Sequence, residues 1–312
     1  MTRLAVIIPT LRRPHALESA IRSVMGQRGA HARPDLLVVA DNDPDASARD
    51  TVQQLASEAS FPILYVHAPK PGVATARNAA LAATDAELIA FLDDDEVAGP
   101  DWLTALVETQ AALKADVVFG PIQGRAPGAR AWSRPYLERF FSRIGPEADA
   151  VIAQPFGCGN SLFRRERTLA GAAPFDVDTD QSGGEDDTLF QRLEGLGVVW
   201  GWSARAWVDE AAPAHRATVA YALMRAFAFG QGPSQQAARE RNWVGVLRWM
   251  LIGAGQTVVF GAVAALQWLT GGARRADWAD RTARGLGKVF WMKPFEPQFY
   301  GLAELRRAQR AG

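Results

Sequence analysis

The residues best able to do chemistry are Asp93-Asp94-Asp95-Glu96, four acidic side chains that close the apolar segment from Glu87 to Leu92. Like charges this close raise one another's pKa unless a cation or hydrogen-bond donors offset the repulsion. A hard, oxygen-liganded ion such as Mg²⁺ or Mn²⁺ suits them, and such an ion keeps open positions for a substrate's phosphates. Taken alone, the acids also read as a solvated turn after a buried strand. A second acidic group, Glu185-Asp186-Asp187, follows Gly183-Gly184 and precedes helical spacing from Thr188 to Gly195. Acids at a helix N-terminus are stabilised by the macrodipole, so capping is the plain reading there. A third group, Asp41-Asn42-Asp43-Pro44, is a turn signal after the apolar run Leu36 to Ala40.

Other chemistries lack their residues. Cys-x-x-Cys, His-Glu-x-x-His, a Gly-Lys-Ser/Thr phosphate loop and a Gly-x-Ser-x-Gly elbow are all missing, which removes most zinc, P-loop and serine-hydrolase readings. Cys158 is the only cysteine, so no intramolecular disulfide forms. No signal-like segment precedes the first strand-like run, Leu4 to Ile8, and a cytosolic chain is expected.

The elements that must position these acids follow from hydrophobic periodicity. Leu4 to Ile8, Leu36 to Ala40, Ile63 to His67 and Glu87 to Leu92 read as strands. Helical spacing fills His15 to Gln27, Ala46 to Ser57 and Val73 to Ala83, with a loop at Pro69 to Gly72. Strands alternating with helices predict an α/β fold with a mostly parallel sheet, helices on both faces, and ligands beyond the carboxyl ends of the strands. Pro9-Thr10, Asp41-Asn42-Asp43 and Asp93-Asp94-Asp95 then share one edge. No Gly-x-Gly-x-x-Gly follows the first strand, which disfavours a dinucleotide-binding domain. Further on, Asp116 to Gly120 reads as a strand, Arg125 to Arg143 as a polar, Pro- and Gly-punctuated stretch, and Gly157 to Phe163 as a glycine-rich turn into a short strand.

The chain of 312 residues has 48% hydrophobic and 22% charged residues, which gives no sign of global disorder. Its formal charge of zero hides a division: 12 Lys/Arg stand against 5 Asp/Glu from Arg239 on, leaving 22 against 29 before it. A basic end points to an anionic surface, nucleic acid or lipid headgroups. From Tyr221 on the pattern is long, helical and Trp-rich, and Trp249 to Leu266 is 18 residues without a charge, at the lower limit for crossing a bilayer. That composition favours a membrane surface, and no nucleic acid is expected. Arginines flank the run on both sides, so positive charge does not choose an inside. A helix or hairpin in the interface fits better than a clean span, and a buried core helix is the alternative.

In order, Val-Ile-Ile-Pro-Thr (6–10), Asp-Asn-Asp-Pro (41–44), Gly-Val-Ala-Thr-Ala-Arg-Asn (72–78), Asp-Asp-Asp-Glu (93–96) and Gly-Glu-Asp (184–186) resemble the motifs of the family 2 glycosyltransferases. These are inverting nucleotide-sugar enzymes of the GT-A fold, and the likeness is to their bacterial polysaccharide-biosynthesis branch. It covers roughly residues 4 to 232. The likeness implies that Pro9, Thr10 and Arg12 line a nucleotide pocket and that Asp41 accepts hydrogen bonds from the base, commonly uracil. Arg77 and Asn78 would sit near base and ribose. Asp93 would face the ribose, Asp94 would be the variable middle position, and Asp95 would bind the Mg²⁺ or Mn²⁺ that bridges the diphosphate. Asp186 would be the general base, Glu185 would help hold the acceptor, and Gly159 and Asn160 would face donor sugar and acceptor. Relatives often supply a further metal or phosphate ligand from a His. Here His215 lies in Ala-Pro-Ala-His-Arg-Ala-Thr, where the branch often has Glu before Arg, and it is either such a ligand or a surface loop residue; Arg216 beside it would bind phosphate.

The resulting expectation is a glycosyltransferase domain over residues 1–232 and a membrane-associating helical region over 233–312. It would move a hexose from a nucleoside diphosphate sugar, a UDP-sugar by the resemblance, to a saccharide acceptor carried on lipid. The place would be the cytoplasmic side of the plasma membrane, with a peripheral or monotopic attachment. Two other readings stay open: a sugar nucleotidyltransferase, which would need a glycine-rich loop where Leu11-Arg12-Arg13-Pro14 stands, and a saccharide- or lipid-binding scaffold that keeps the fold without the chemistry.

Overall fold

The computed structural model describes residues 2–31, 33–180, 183–297 and 299. In chain order the elements are β1 (Leu4–Thr10), α1 (Pro14–Met25), β2 (Leu36–Asp41), α2 (Arg49–Glu58), β3 (Ile63–His67), α3 (Val73–Ala82), β4 (Leu88–Phe91), β5 (Glu96–Ala98), α4 (Trp102–Leu113), β6 (Val117–Phe119) and β7 (Ile122–Arg125). Then come α5 (Arg134–Phe141), β8 (Ala150–Val151), β9 (Ser161–Arg164), α6 (Arg165–Thr168), α7 (Glu185–Glu194), β10 (Trp200–Trp202), β11 (Val208–Ala211), α8 (Val219–Arg239), α9 (Trp243–Leu269) and α10 (Arg275–Val289). They form two compact units, one from 1–123 and 142–211, the other from 124–141 and 212–298.

In the first unit an eight-stranded sheet runs in the order β3-β2-β1-β4-β9-β6-β10-β8, with a three-stranded sheet β5-β11-β7 beside it. β1 pairs in parallel with β2 and β4, and β2 with β3. The expected α/β architecture is present, with β9 inserted antiparallel between β4 and β6. Strand geometry explains the two-sided burial, because successive side chains point to opposite faces. On β1, Leu4, Val6 and Ile8 join the core with Leu17 and Ile21 of α1, Leu55 of α2 and Leu106 of α4. Ala5 and Ile7 turn the other way, toward Ala74 and Leu81 of α3 and Phe190 of α7. β2 and β4 alternate in the same manner.

Two elements differ from the sequence expectation. The stretch from Arg125 to Arg143 contains α5, which presents Tyr136 and Leu137 to a small alanine-rich core of the second unit. Helix α7 begins at Glu185 rather than Thr188, so Glu185, Asp186 and Asp187 occupy its first turn. The second unit is helical from Val219 on, with α8, α9 and α10 packed on one another. The expected boundary at 232/233 falls inside α8, which carries Pro233 within it. Residues 300–312 of the expected helical region lie outside the described residues.

Candidate active site

The parallel register brings the carboxyl ends of the central strands together. Thr10 stands beside Asp41, Ile7 beside Phe91, and Phe91 beside Ser161 at the start of the antiparallel β9. The loops holding Thr10, Asp93 to Asp95 and Gly157 to Asn160 therefore meet at one sheet edge.

Asp94 is buried, and its two oxygens are fixed: Thr10 Oγ1 donates to Oδ2 at 2.8 Å and Arg13 Nη1 to Oδ1 at 3.0 Å. The same Arg13 nitrogen donates to Asp95 Oδ2 at 2.8 Å. A resident guanidinium thus sets a positive charge against two of the three adjacent aspartates. Asp93, 38% exposed at its side chain, receives Arg77 Nη2 at 3.3 Å, while Arg77 Nη1 reaches Glu185 Oε1 at 2.7 Å. Asp186 is held from the opposite side by the glycine loop, where the Cys158 N–H donates to its Oδ2 at 3.4 Å.

The two glycines of that loop lie close against acidic side chains. A Cβ on Gly159 would lie 2.5 Å from Asp93 Oδ2, and one on Gly157 3.2 Å from Asp186 Oδ2. One tripeptide therefore touches the carboxylates of both acidic motifs.

Buried polar side chains hold the loop in place. Glu96 Oε2 accepts from the N–H of Asp93 at 2.9 Å and of Asn160 at 3.1 Å, tying the two loops together. Arg143 donates to the carbonyls of Gly120, Gly157, Gly159 and Asn160 at 2.6–3.1 Å. Burial pushes the Glu96 carboxyl well above the ordinary glutamate range, helped by Asp93 and Glu210, and burial lowers the pKa of Arg143. Burial also raises Glu185, with Asp186 adding to it against the pull of Arg77. For Arg77, burial opposes the charge, but the surrounding anionic groups, Glu185 and Asp93 among them, outweigh it and hold the guanidinium fully protonated.

Several residues with expected ligand roles have partners within the protein. Arg77, expected near base and ribose, is buried between Asp93 and Glu185 over the rings of Phe91 and Phe175. Asn78, expected beside it, spends its amide on both backbone groups of Phe175. Asp41, expected to read the base, is fully buried; its carboxylate accepts from the N–H of Asp43 and Ala48 and from Tyr65 Oη. Asn160, expected to face the sugar, is fully buried with φ 48° and bonds to Trp102 Nε1, Pro121 O and Ala206 O. Arg12, in the left-handed region, is tied to Asp43 and Asp45. Pro9 is buried in β1, opposite Ala40. Cys158 is a buried free thiol whose pKa burial raises well above the ordinary value, consistent with a small apolar core residue. His215 and Arg216 stand in the turn after Pro213 in the second unit. Sequence reasoning missed Arg13, Glu96 and Arg143 as organising residues. Arg13 was recoverable from its place after the first strand, whereas nothing in the pattern around Arg143 marks it.

The donor set bears on an ion. Among the described residues no three His, Cys, Asp or Glu gather into a cage of their own. Carboxylate oxygens from one or two aspartates fit a hard divalent ion shared with a diphosphate, since Mg²⁺ sites use few protein ligands and take the rest from phosphates and water. Asp95 and Asp93 are the residues that would hold it.

The model of the family described as glycosyl transferase family 2 matches residues 5–168, which include β1, the aspartate loop and the Gly157–Asn160 loop. The succinoglycan biosynthesis protein ExoM of Rhizobium meliloti (strain 1021) is 33% identical over 301 residues, 96% of each chain. This chain is a family 2 glycosyltransferase. A validoxylamine A glucosyltransferase of Streptomyces hygroscopicus subsp. limoneus is 28% identical over 238 residues, covering 67% of this chain and 51% of that protein. Among solved structures, S. aureus TarS aligns with a TM-score of 0.50 at 13% identity, over 72% of this chain and 39% of the TarS chain, a likeness of fold alone. As a member of this family the chain is an enzyme that transfers a glycosyl group with inversion at the anomeric carbon. The open nucleotidyltransferase and scaffold readings give way to this assignment.

Proposed function

We propose that this glycosyltransferase moves a hexose from a uridine diphosphate sugar to a saccharide acceptor carried on lipid, in the synthesis of a bacterial surface polysaccharide. The observation that carries the reading is the glycine loop that touches Asp93 on one side and Asp186 on the other. It sets two carboxylates side by side, which supports one of them serving the donor's leaving group and the other the acceptor. The likeness to a protein named for succinoglycan biosynthesis over 96% of both chains supports the pathway class. The likeness to a named glucosyltransferase supports a hexose.

Asp186 takes the proton from the acceptor hydroxyl as that oxygen attacks the anomeric carbon. A weak base suffices, because the hydroxyl becomes acidic only as its bond to carbon forms. Glu185 and Arg77 fix the helix turn that carries Asp186. Asp95 and Asp93 would hold Mg²⁺ or Mn²⁺, which when bound supplies charge neutralisation to the departing nucleoside diphosphate. Arg13, paired with Asp94 and Asp95, shares that anionic site. The exposed apolar face of α9 and the basic residues around it support attachment to the cytoplasmic face of the plasma membrane, where a lipid-carried acceptor resides.

The donor is tested by thermal unfolding with a panel of nucleoside diphosphates and their hexose conjugates, each with and without Mn²⁺. A ligand that binds only the folded state raises the unfolding temperature by mass action. Uridine nucleotides should give the largest shift, and only with the metal present. A larger shift with guanosine or thymidine nucleotides would replace the uridine assignment, and an equal shift without metal would remove the ion from the proposal.

A further inference from the structure

Resting on the membrane reading above, we infer that α9 lies flat in one leaflet's interface and does not cross the bilayer, although its length and composition suffice for crossing. The inference comes from what α9 is packed against.

Helix α9 is 27 residues long, and among the described residues 11% of its most apolar 18-residue window is buried, unlike the mostly buried core helix of a soluble protein. Val244, Leu247, Leu251, Val258, Leu266 and Leu269 are exposed along one side, spaced at three to four residues or their multiples. Arg248 is the one charged residue within the helix. The other side is covered by α10, antiparallel and in close register. A Cβ on Gly253 would lie 2.6 Å from Gly285 O and from Lys288 Cβ, and one on Gly261 would lie 3.6 Å from Thr282 Cγ2. Phe260 packs on Trp278 at 5.8 Å between ring centroids, and Arg275 lies over Trp268 at 5.2 Å. These contacts run from Gly253 to Trp268, over most of the uncharged stretch.

Helix α10 is strongly charged. Asp280 pairs with Arg284 at 2.7 Å and accepts from Tyr136 Oη of α5 at 3.1 Å, and Asp277 pairs with Arg139 of α5 at 2.6 Å. Arg281 lies over both Phe260 and Trp278. If α9 spanned, α10 would be carried into the hydrocarbon at the same depth, together with the parts of α5 and α8 packed on it. Charges at that depth are costly and occur where they face a bundle interior or a water-filled cavity. Exposed Trp243 and Trp268 near the two ends suit either orientation, so the charged partner helix decides. Lying flat, the apolar side enters the acyl boundary while α10 and its ion pairs stay on the water side. Between Arg239 and Glu296 stand nine Lys/Arg against four Asp/Glu, a balance that complements anionic headgroups. The occupant of the apolar face is therefore an anionic lipid surface.

The test is site-directed spin labelling of the full-length chain on phosphatidylcholine vesicles with and without phosphatidylglycerol. Val244→Cys, Leu251→Cys, Val258→Cys, Leu266→Cys and Arg281→Cys are labelled one at a time, with wild type, whose Cys158 is 1% exposed, as the unlabelled control. Depth is read from collision with oxygen against a water-soluble nickel chelate. Val244 to Leu266 covers about 33 Å of helix axis at 1.5 Å per residue. A flat helix places all four α9 labels at one shallow depth, roughly 5–10 Å in, with the Arg281 site in water and with binding strengthened by phosphatidylglycerol. A profile deepest at Val258, with Val244 and Leu266 shallow at opposite surfaces, would overturn the flat arrangement while leaving membrane attachment standing. Failure of wild type to float with either vesicle would overturn attachment itself, and the inference with it.

Discussion

With one guanidinium nitrogen on Glu185 and another on Asp93, Arg77 joins the first turn of α7 to the aspartate loop. Arg77→Met would leave the buried Glu185 unpaired, a change that costs about 3 kcal/mol or more in comparable buried pairs. Urea unfolding measures it, and Arg77→Lys should recover only part because a single ammonium cannot reach both carboxylates as a fork does. Glu185 carries a pH signature of its own. Its folded pKa is raised above the ordinary value of 4.5, so between the two the folded chain binds a proton that the unfolded chain has released. This contribution to stability is fully present below the unfolded value and is lost as pH rises through the folded one. Glu185→Gln should flatten that part of the curve of unfolding free energy against pH, and an unchanged slope would contradict the assignment. Arg13 makes a different prediction. Because it holds an oxygen of Asp95, Arg13→Ala should bind Mn²⁺ more tightly in the absence of nucleotide, as read from the spin resonance of the free ion. Weaker binding would make Arg13 a support for the ion rather than a competitor. Legibility at this scale was uneven. Asp93, Asp95 and Asp186 could be singled out because acids at strand and helix ends are conspicuous. The structural employment of Asn78 and Asn160 depends on backbone partners 39 to 97 residues away, which no local pattern encodes.

At the scale of elements, the first half of the sheet was readable because continuous apolar runs separated by helical spacing admit few other arrangements. The antiparallel β9 was visible only as a short apolar stretch, and its place between β4 and β6 is set by long-range pairing. Helix α5 was hidden because its apolar residues, Tyr136, Leu137, Phe140 and Phe141, sit within a Pro- and Gly-punctuated polar stretch. The glycine loop before β9 was legible as a turn, but its purpose required coordinates. Gly159→Ala should push on Asp93 Oδ2, the end of a partly exposed side chain that can swing, and press on the buried Glu96 Oε1 at 3.0 Å, so the stability loss should be about 1 kcal/mol. Donor affinity, measured calorimetrically with Mn²⁺, should fall clearly. An intact affinity would mean that the loop does not set the position of Asp93.

For the whole molecule, the likeness to ExoM over 96% of each chain means that both units are shared with that protein, including the helices that follow the family match ending at residue 168. The uneven charge, acidic before Arg239 and basic after it, follows the two units: carboxylates gathered at a sheet edge in the first, and in the second a helix whose apolar side is exposed. Across one loop the first unit pairs Asp93 with Asp186, proposed above to serve donor and acceptor. Asp186→Asn tests this pairing most directly, because the amide keeps the shape and the Cys158 hydrogen bond but cannot accept the proton. Transfer to acceptor and calorimetric binding of the nucleotide sugar with Mn²⁺ should be measured on the same preparation. Transfer should fall by roughly 10²–10⁴-fold, the range for loss of a general base, with donor binding unchanged. Transfer at the wild-type rate, or donor binding lost together with it, would contradict the account.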